Sequence, residues 1–218
     1  MYNKIEAVSK ATNKKRSREI FLNTGVKTPR LYTIGDDNIT FPIVARPLVH
    51  SKGRNFLVLN SQDEFAACYH QHGDNYYYSE FIDKDREYRV HCAHGKILAV
   101  MEKPPVDGVA WNRAVNHEAF VRVMQKEYNY DVCFQALKAV NELGLDFGGV
   151  DVIVKDGQAF VLEVNTSPTL NSSEYTSYRY AQYFDWLFRS EQRRDHWDYT
   201  VFKKADSFAW KQIQLESN

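Results

Sequence analysis

Two runs of this chain read as antiparallel hairpins, and together they constrain its fold more than any other feature. Across residues 149–165, apolar and polar side chains alternate on both sides of Asp156-Gly157, a strong short-range hairpin signal. Across residues 87–103 the same pattern surrounds His94-Gly95, with Tyr88, Val90 and Cys92 on one face and Glu87, Arg89 and His91 on the other. Loop length decides which residues of two paired strands share a face, because a slip of one residue turns every side chain over. In the second hairpin a two-residue loop would set Val150 opposite Glu163 and split the apolar set. A three-residue loop, Lys155-Asp156-Gly157, puts Val150, Val152, Val154, Phe160, Leu162 and Val164 on one face and gathers Asp151, Glu163 and Asn165 on the other. Burying one clean apolar face favours the three-residue register. With Ala93-His94-Gly95 as the loop, the same reasoning groups Glu87, Arg89 and Lys103.

Two carboxylates and an amide oxygen held close together make a hard-oxygen site that suits Mg²⁺ rather than zinc. Without a cation, carboxylates that close repel or share a proton. A polar sheet face whose acids meet nearby Lys or Arg would show the same spacing, and spacing alone does not separate the two.

The rest of the chain reads as alternating helix and strand. A helix over 13–24 stops at Gly25, with Pro29 beyond it. The basic run over 10–18 (Lys10, Lys14, Lys15, Arg16 and Arg18) reads mostly as a solvated helix face. Strands follow at 41–46 and 56–59, and Ser61 and Glu64 form a capping box for a helix ending near Gly73. Another strand spans 76–82, and Cys133, Ala136, Leu137, Val140 and Leu143 at helical spacing mark a helix stopped by Gly144. Aromatic residues crowd the chain from Tyr175 to Trp210. Such a stripe packs a helix onto the body of its own protein; a homodimer through this C-terminal segment is the sharper alternative.

Composition excludes several classes. Lys+Arg and Asp+Glu are both 28, so no global positive field draws the chain to nucleic acid. No apolar run is long enough to span a membrane, and the first residues do not resemble a signal peptide. Three cysteines without a CxxC pattern point to reduced thiols in a cytoplasmic compartment, acting as apolar filler. The histidines form no zinc motif.

Leu162-Glu-Val-Asn-Thr-Ser-Pro168, preceded by Gly149-Val-Asp151, resembles the terminal metal-binding segment of the ATP-grasp ligases. That family includes D-alanine–D-alanine ligase, glutathione synthetase and the glutamate ligases that extend ribosomal-protein tails. The likeness runs from about residue 13 to residue 170. It implies an α+β fold of two lobes, each an antiparallel sheet with helices, and a nucleotide between them. The lobes are expected at 1–79, with a phosphate-covering loop at about 46–55, and at 80–218. The resemblance maps Mg²⁺ ligation onto Asp151, Glu163 and Asn165, adenine contact onto Glu80 and Phe81, and the ribose hydroxyls onto Glu87. Phosphate contact falls on Lys14, Arg46 and Lys52. Arg89, Lys103 and Arg113 would neutralise the transferring phosphoryl group, with Asn116 a weaker candidate. Three departures stand out: Arg46 where the family usually has lysine, a single glycine in 50–55, and Gly149 where some ligases carry arginine. The family's further N-terminal domain, part of the second substrate's site, is expected to be missing here.

The activity implied is an ATP- and Mg²⁺-dependent ligation of a carboxylate donor to an amine acceptor (an amino acid, peptide or protein tail) through an acyl phosphate. Two alternatives stay open. One is an ATP-grasp kinase using the same nucleotide site, and the other is a nucleotide-binding module that needs a partner chain.

Overall fold

The computed structural model describes residues 3–49, 56–106, 109–113, 120–170 and 173–188, with the backbone alone for 106 and 109–113. Two antiparallel sheets organise the described chain. The smaller is built from β1 (Leu31–Tyr32), β2 (Ile43–Pro47), β3 (Leu57–Leu59) and β4 (Tyr76–Glu80) in the order β1-β4-β2-β3. The larger takes β5 (Arg86–Ala93), β6 (Lys96–Glu102), β9 (Val121–Arg122), β10 (Phe147–Lys155) and β11 (Gln158–Asn165) in the order β11-β10-β5-β6-β9. A two-stranded ribbon, β7 (Pro105–Val106) with β8 (Val109–Arg113), follows β6.

The helices form where capping residues allow. Helix α2 (Lys14–Thr24) begins at Asn13, whose side chain accepts from the Arg16 N–H, and ends at Gly25 in the left-handed region. Helix α3 (Gln62–His72) opens on the expected capping box: Ser61 accepts from the Glu64 N–H and Glu64 accepts from the Asn60 N–H. Helix α4 (Tyr130–Leu143) is capped by Asn129 and stopped by Gly144. A helix that the sequence pattern does not reveal, α1 (Ile5–Thr12), precedes α2.

Helix α4, together with α1 and α2, covers one face of the larger sheet: Ala7, Ala11, Phe21, Val26, Val132, Ala136 and Val140 share a core with Val90, Val150, Val152 and Val161. Ala7, Ala11, Phe21 and Val26 thus share the larger sheet's core, while Arg18 of α2 also reaches Tyr77 of the smaller sheet. The smaller sheet has its own core of Tyr32, Ile43, Ala45, Leu59, Phe65 and Tyr78. The aromatic helix α5 (Glu174–Phe188) packs through Tyr180, Tyr183 and Leu187 onto Ala93 and Leu98 of the larger sheet, as expected of a stripe that packs onto the body of its own protein. Residues 189–218 lie outside the described residues.

Both hairpins reach the expected grouping by a different device. The loop of each has two residues, not three: Lys155 pairs with Gln158 and Ala93 with Lys96. Asp156 and Gly157 have φ of 48° and 77°, and His94 and Gly95 of 45° and 71°, the pair of positive values that a tight primed turn requires. Parity is then restored by a one-residue bulge, between the Val152↔Val161 and Asp151↔Glu163 pairs in one hairpin and between Cys92↔Ile97 and His91↔Ala99 in the other. Between bulge and turn the core-facing residues are thus Val161 and Ala159, both fully buried. Phe160 and Leu162, expected in the core, are only partly buried, and Leu162 and Ile153 face the cleft between the two sheets.

Close packing at the start of β10 gives a direct check. A Cβ on Gly148 would lie 2.8 Å from Val164 Cγ1 and 3.3 Å from the Asn165 carbonyl oxygen. Gly148→Ala is expected to lower stability by about 1–3 kcal/mol, read as a reduced midpoint in thermal or urea unfolding; an unchanged midpoint would refute this packing.

Candidate active site

Pairing of β5 with β10 sets Asp151 directly opposite Arg89 and Ile153 opposite Glu87, and the Lys103 N–H donates to the Glu87 carbonyl. One end of this sheet face lies under α5; the other end carries a row of charges. Arg89 donates to Asp151 through Nε at 2.7 Å and Nη2 at 2.8 Å, a fork matched to a carboxylate. Lys103 Nζ lies 2.6 Å from Glu87 Oε1 and 3.2 Å from Asp151 Oδ1. Lys84 closes on the second Glu87 oxygen. Phe120 lies beside both cations, its ring centroid 5.7 Å from the Arg89 guanidinium carbon and 5.6 Å from Lys103 Nζ. Glu87, Lys103 and Asp151 are all buried.

These charges survive burial because they neutralise one another. Burial pushes the Asp151 carboxyl upward, but Arg89 and Lys103 outweigh it and hold the group well below the usual carboxylate range. The same opposition leaves Glu87 lowered by Lys103 and Lys84 against its burial. Lys103 is raised, since Asp151 and Glu87 overcome the burial that would lower it.

Glu163 stands beside Asp151 on the next strand, and Asn165 pairs with Gly149 one step along the same face. Glu163 is partly exposed, with Lys14 Nζ 3.9 Å away. Asn165 holds a buried amide nitrogen that lacks a hydrogen-bond partner among the described residues. Gly149 has no room for a side chain: a Cβ there would meet Pro168 at 2.8 Å. The guanidinium on Asp151 comes from β5 instead.

Beside this row opens a cleft between the sheets, lined by Arg18, Pro29, Val44, Arg46, Phe56, Ser79, Glu80, Phe81, Ile82, Lys84, Ile153 and Leu162. The structure thus brings Arg46, Glu80 and Phe81 to one cavity. Lys14 and Glu87 do not line it. Lys14 is buried, with Nζ donating to the carbonyls of Ala11 and Val164, and Glu87 is held by Lys84 and Lys103. Lys52, Asn116 and the side chain of Arg113 lie outside the described residues. Sequence reasoning missed Arg18, Lys84 and Phe120. Arg18 lies one helical turn from Lys14 and Lys84 three residues from Glu87, spacings that could have suggested them; nothing in the pattern marks Phe120.

A carboxylate whose folded pKa is depressed stabilises the protein above the unfolded value, near 4, and that contribution disappears as pH falls through the folded value. Melting temperature should therefore hold steady above about pH 5 and drop steeply below pH 4, with a shallower acid slope in Asp151→Asn. Arg89→Met, which strands a buried carboxylate, should cost about 3 kcal/mol or more at neutral pH. Near-wild-type denaturation curves for both would refute the network.

Comparison with known proteins agrees with this architecture. A family model described as a RimK-like ATP-grasp domain matches residues 11–180. A D-alanine–D-alanine ligase of Fusobacterium nucleatum is 22% identical over 173 residues, covering 74% of this chain and 58% of that protein. A probable α-L-glutamate ligase of Haemophilus influenzae is 24% identical over 188 residues, covering 80% and 62%. This chain therefore spans about three-fifths of the length of each of these relatives. Among solved structures, the ATP-grasp ligase PsnB, complexed with a phosphomimetic variant of its minimal precursor, Mg and ADP, superposes with a TM-score of 0.63 at 16% identity, covering 83% of this chain and 60% of that one. Two facing antiparallel sheets, a cleft between them and a charged row on the larger sheet accompany that match, and the chain belongs to the RimK-like ATP-grasp family.

Proposed function

We propose that this chain carries the nucleotide site of an ATP- and Mg²⁺-dependent carboxylate–amine ligase. The observation that carries the reading is the juxtaposition of a cleft holding Arg46, Glu80 and Phe81 with a sheet face holding Arg89, Lys103, Asp151, Glu163 and Asn165. The names of the ligase relatives support amide formation over phosphoryl transfer to an alcohol.

The donor set fits a hard divalent cation. The Glu163 carboxylate lies 3.9 Å from the Lys14 ammonium, beyond hydrogen-bond distance, and turning the Asn165 amide would put its oxygen where the bare nitrogen now lies. Asp151 accepts three hydrogen-bonding contacts, which leaves one lone-pair site of about four for a share of the metal. When bound, Mg²⁺ would neutralise phosphate oxygens and make the terminal phosphorus a better electrophile.

The chain's own residues do the rest. The backbone of Glu80 and Phe81 would take the adenine edge, against the apolar wall of Val44, Ile153 and Leu162. Arg46, aided by Lys52, would hold phosphate oxygens. Arg89 and Lys103, fixed in advance by Asp151 and Glu87, would face the negative charge that builds as a donor carboxylate attacks the terminal phosphoryl group. Their pre-organisation matters more than covalent chemistry, because such a transfer needs alignment and charge neutralisation above all. An amine attacking the resulting acyl phosphate would expel inorganic phosphate and leave the amide. The donor is a carboxylate and the acceptor an amine of an amino acid or peptide, and the chemistry is that of an aqueous compartment such as the cytoplasm. No described helix is long and apolar enough to cross a membrane.

Incubation with Mg-ATP, hydroxylamine and a panel of amino acids and short peptides should release ADP and trap a hydroxamate with one carboxylate class. Glu163→Gln should abolish both while keeping the wild-type melting temperature within a few degrees. ADP formed only with alcohols, or undiminished turnover in Glu163→Gln, would contradict the assignment.

A further inference from the structure

We propose that Asn3 is a positioning residue for the metal-binding end of β11, its side-chain amide completing the ladder that β10 and β11 leave unfinished. The inference rests on the metal reading above and deepens it.

Pairing between β10 and β11 stops at Gly149↔Asn165, although β10 begins two residues earlier and is still paired there with β5 through Phe147↔Ala93. Past Asn165 the chain brings Pro168 against Gly149, where a Cβ would lie 2.8 Å from it, and proline has no N–H to continue a ladder. On its β11 side, Phe147 would be left without a strand partner. Asn3 takes that place. Its Oδ1 accepts from the Phe147 N–H at 3.1 Å and its Nδ2 donates to the Phe147 carbonyl at 3.0 Å. A residue directly opposite in an antiparallel strand exchanges the same two bonds.

The amide does more than replace one rung. Oδ1 also accepts from the Asp146 N–H at 2.8 Å, and Nδ2 also reaches the Thr166 carbonyl at 3.4 Å. Two acceptor sites and two donors are all that such an amide has, and every one is used. The Asn3 N–H adds a bond to Asp146 Oδ2 at 2.7 Å. Asn3 is buried, with a φ of 54°, a left-handed value that asparagine tolerates better than most residues.

The consequence falls on Asn165. It stands between two carbonyls held from outside the sheet, Val164 by Lys14 at 3.3 Å and Thr166 by Asn3. Strand β11 is the outer strand of its sheet and carries Glu163 and Asn165 at its far end. An edge strand end is where backbone pairing is least complete. A cation needs its donor oxygens fixed in advance, and groups behind the ligands supply that order.

Titration of Mn²⁺ into the ADP complex, followed by the electron paramagnetic resonance signal of free Mn²⁺, tests this. Asn3→Gly deletes the amide and keeps the left-handed backbone. Asn3 belongs to none of the apolar cores, so the variant should fold. It should weaken Mn²⁺ by roughly threefold to tenfold, less than losing a group bonded directly to a metal ligand. Calorimetric affinity for adenosine should not change. Ala7→Gly is the control, because it lowers helix propensity in α1 without touching the amide. Both variants should lower the melting temperature, but Ala7→Gly should bind Mn²⁺ as the wild type does. Wild-type Mn²⁺ affinity in Asn3→Gly, or an equal loss in Ala7→Gly, overturns the inference and leaves the metal site standing. A wild-type ADP complex that binds no Mn²⁺ overturns both.

Discussion

The fork from Arg89 onto Asp151 is the contact on which the rest of the site depends. It brings an anion and a cation together on a buried sheet face where neither could stay charged alone. Lys103 joins because Asp151 and Glu87 both lie within reach, and Lys84 joins because Glu87 has a second oxygen. Each member keeps the next one charged. The outcome is a set of fixed charges held beside the cleft before any ligand arrives, with little reorganisation left for the moment of reaction.

That face exists because two tight turns and two bulges act in series. A two-residue turn alone would have sent Glu163 to the core side of β11. The extra residue in each return strand changes parity once, which lets apolar residues enter the core near the turn and acids reach the cleft farther along. The bulge also explains why Leu162 and Ile153 are apolar while facing away from the core: they form part of the cleft wall. At the opposite end of the same face, α5 covers Ala93 and Leu98.

Much of this was legible in the residues. Alternation, Asp-Gly and His-Gly turns, a capping Ser and stop glycines delimited most elements, since each reports a local backbone requirement. The grouping of Asp151, Glu163 and Asn165 was legible because only parity mattered, and a three-residue loop has the same parity as a two-residue loop followed by a bulge. The identity of the core-facing residues near the turn was not, because alternation cannot reveal where an extra residue enters. Nor could the fates of Lys14 and Arg18 be separated. Both are basic, both lie on one side of α2, and only the tertiary position of Val164 and Tyr77 decides which is tied to backbone and which faces the cleft. The packing of α1 and α2 on the larger sheet was hidden for a related reason, since an apolar helix face does not say which sheet it will meet.

The central claim is spatial: the polar face shared by β10 and β11 holds a divalent cation against a nucleotide seated between the sheets. Crystals soaked with Mn²⁺ and ADP would address it most directly, through the anomalous signal of the metal. The peak should fall within bonding distance of Glu163 and the Asn165 side-chain oxygen, with the nucleotide phosphates beside Arg46. A metal bound elsewhere on the chain, or a nucleotide outside the cleft, would contradict the claim.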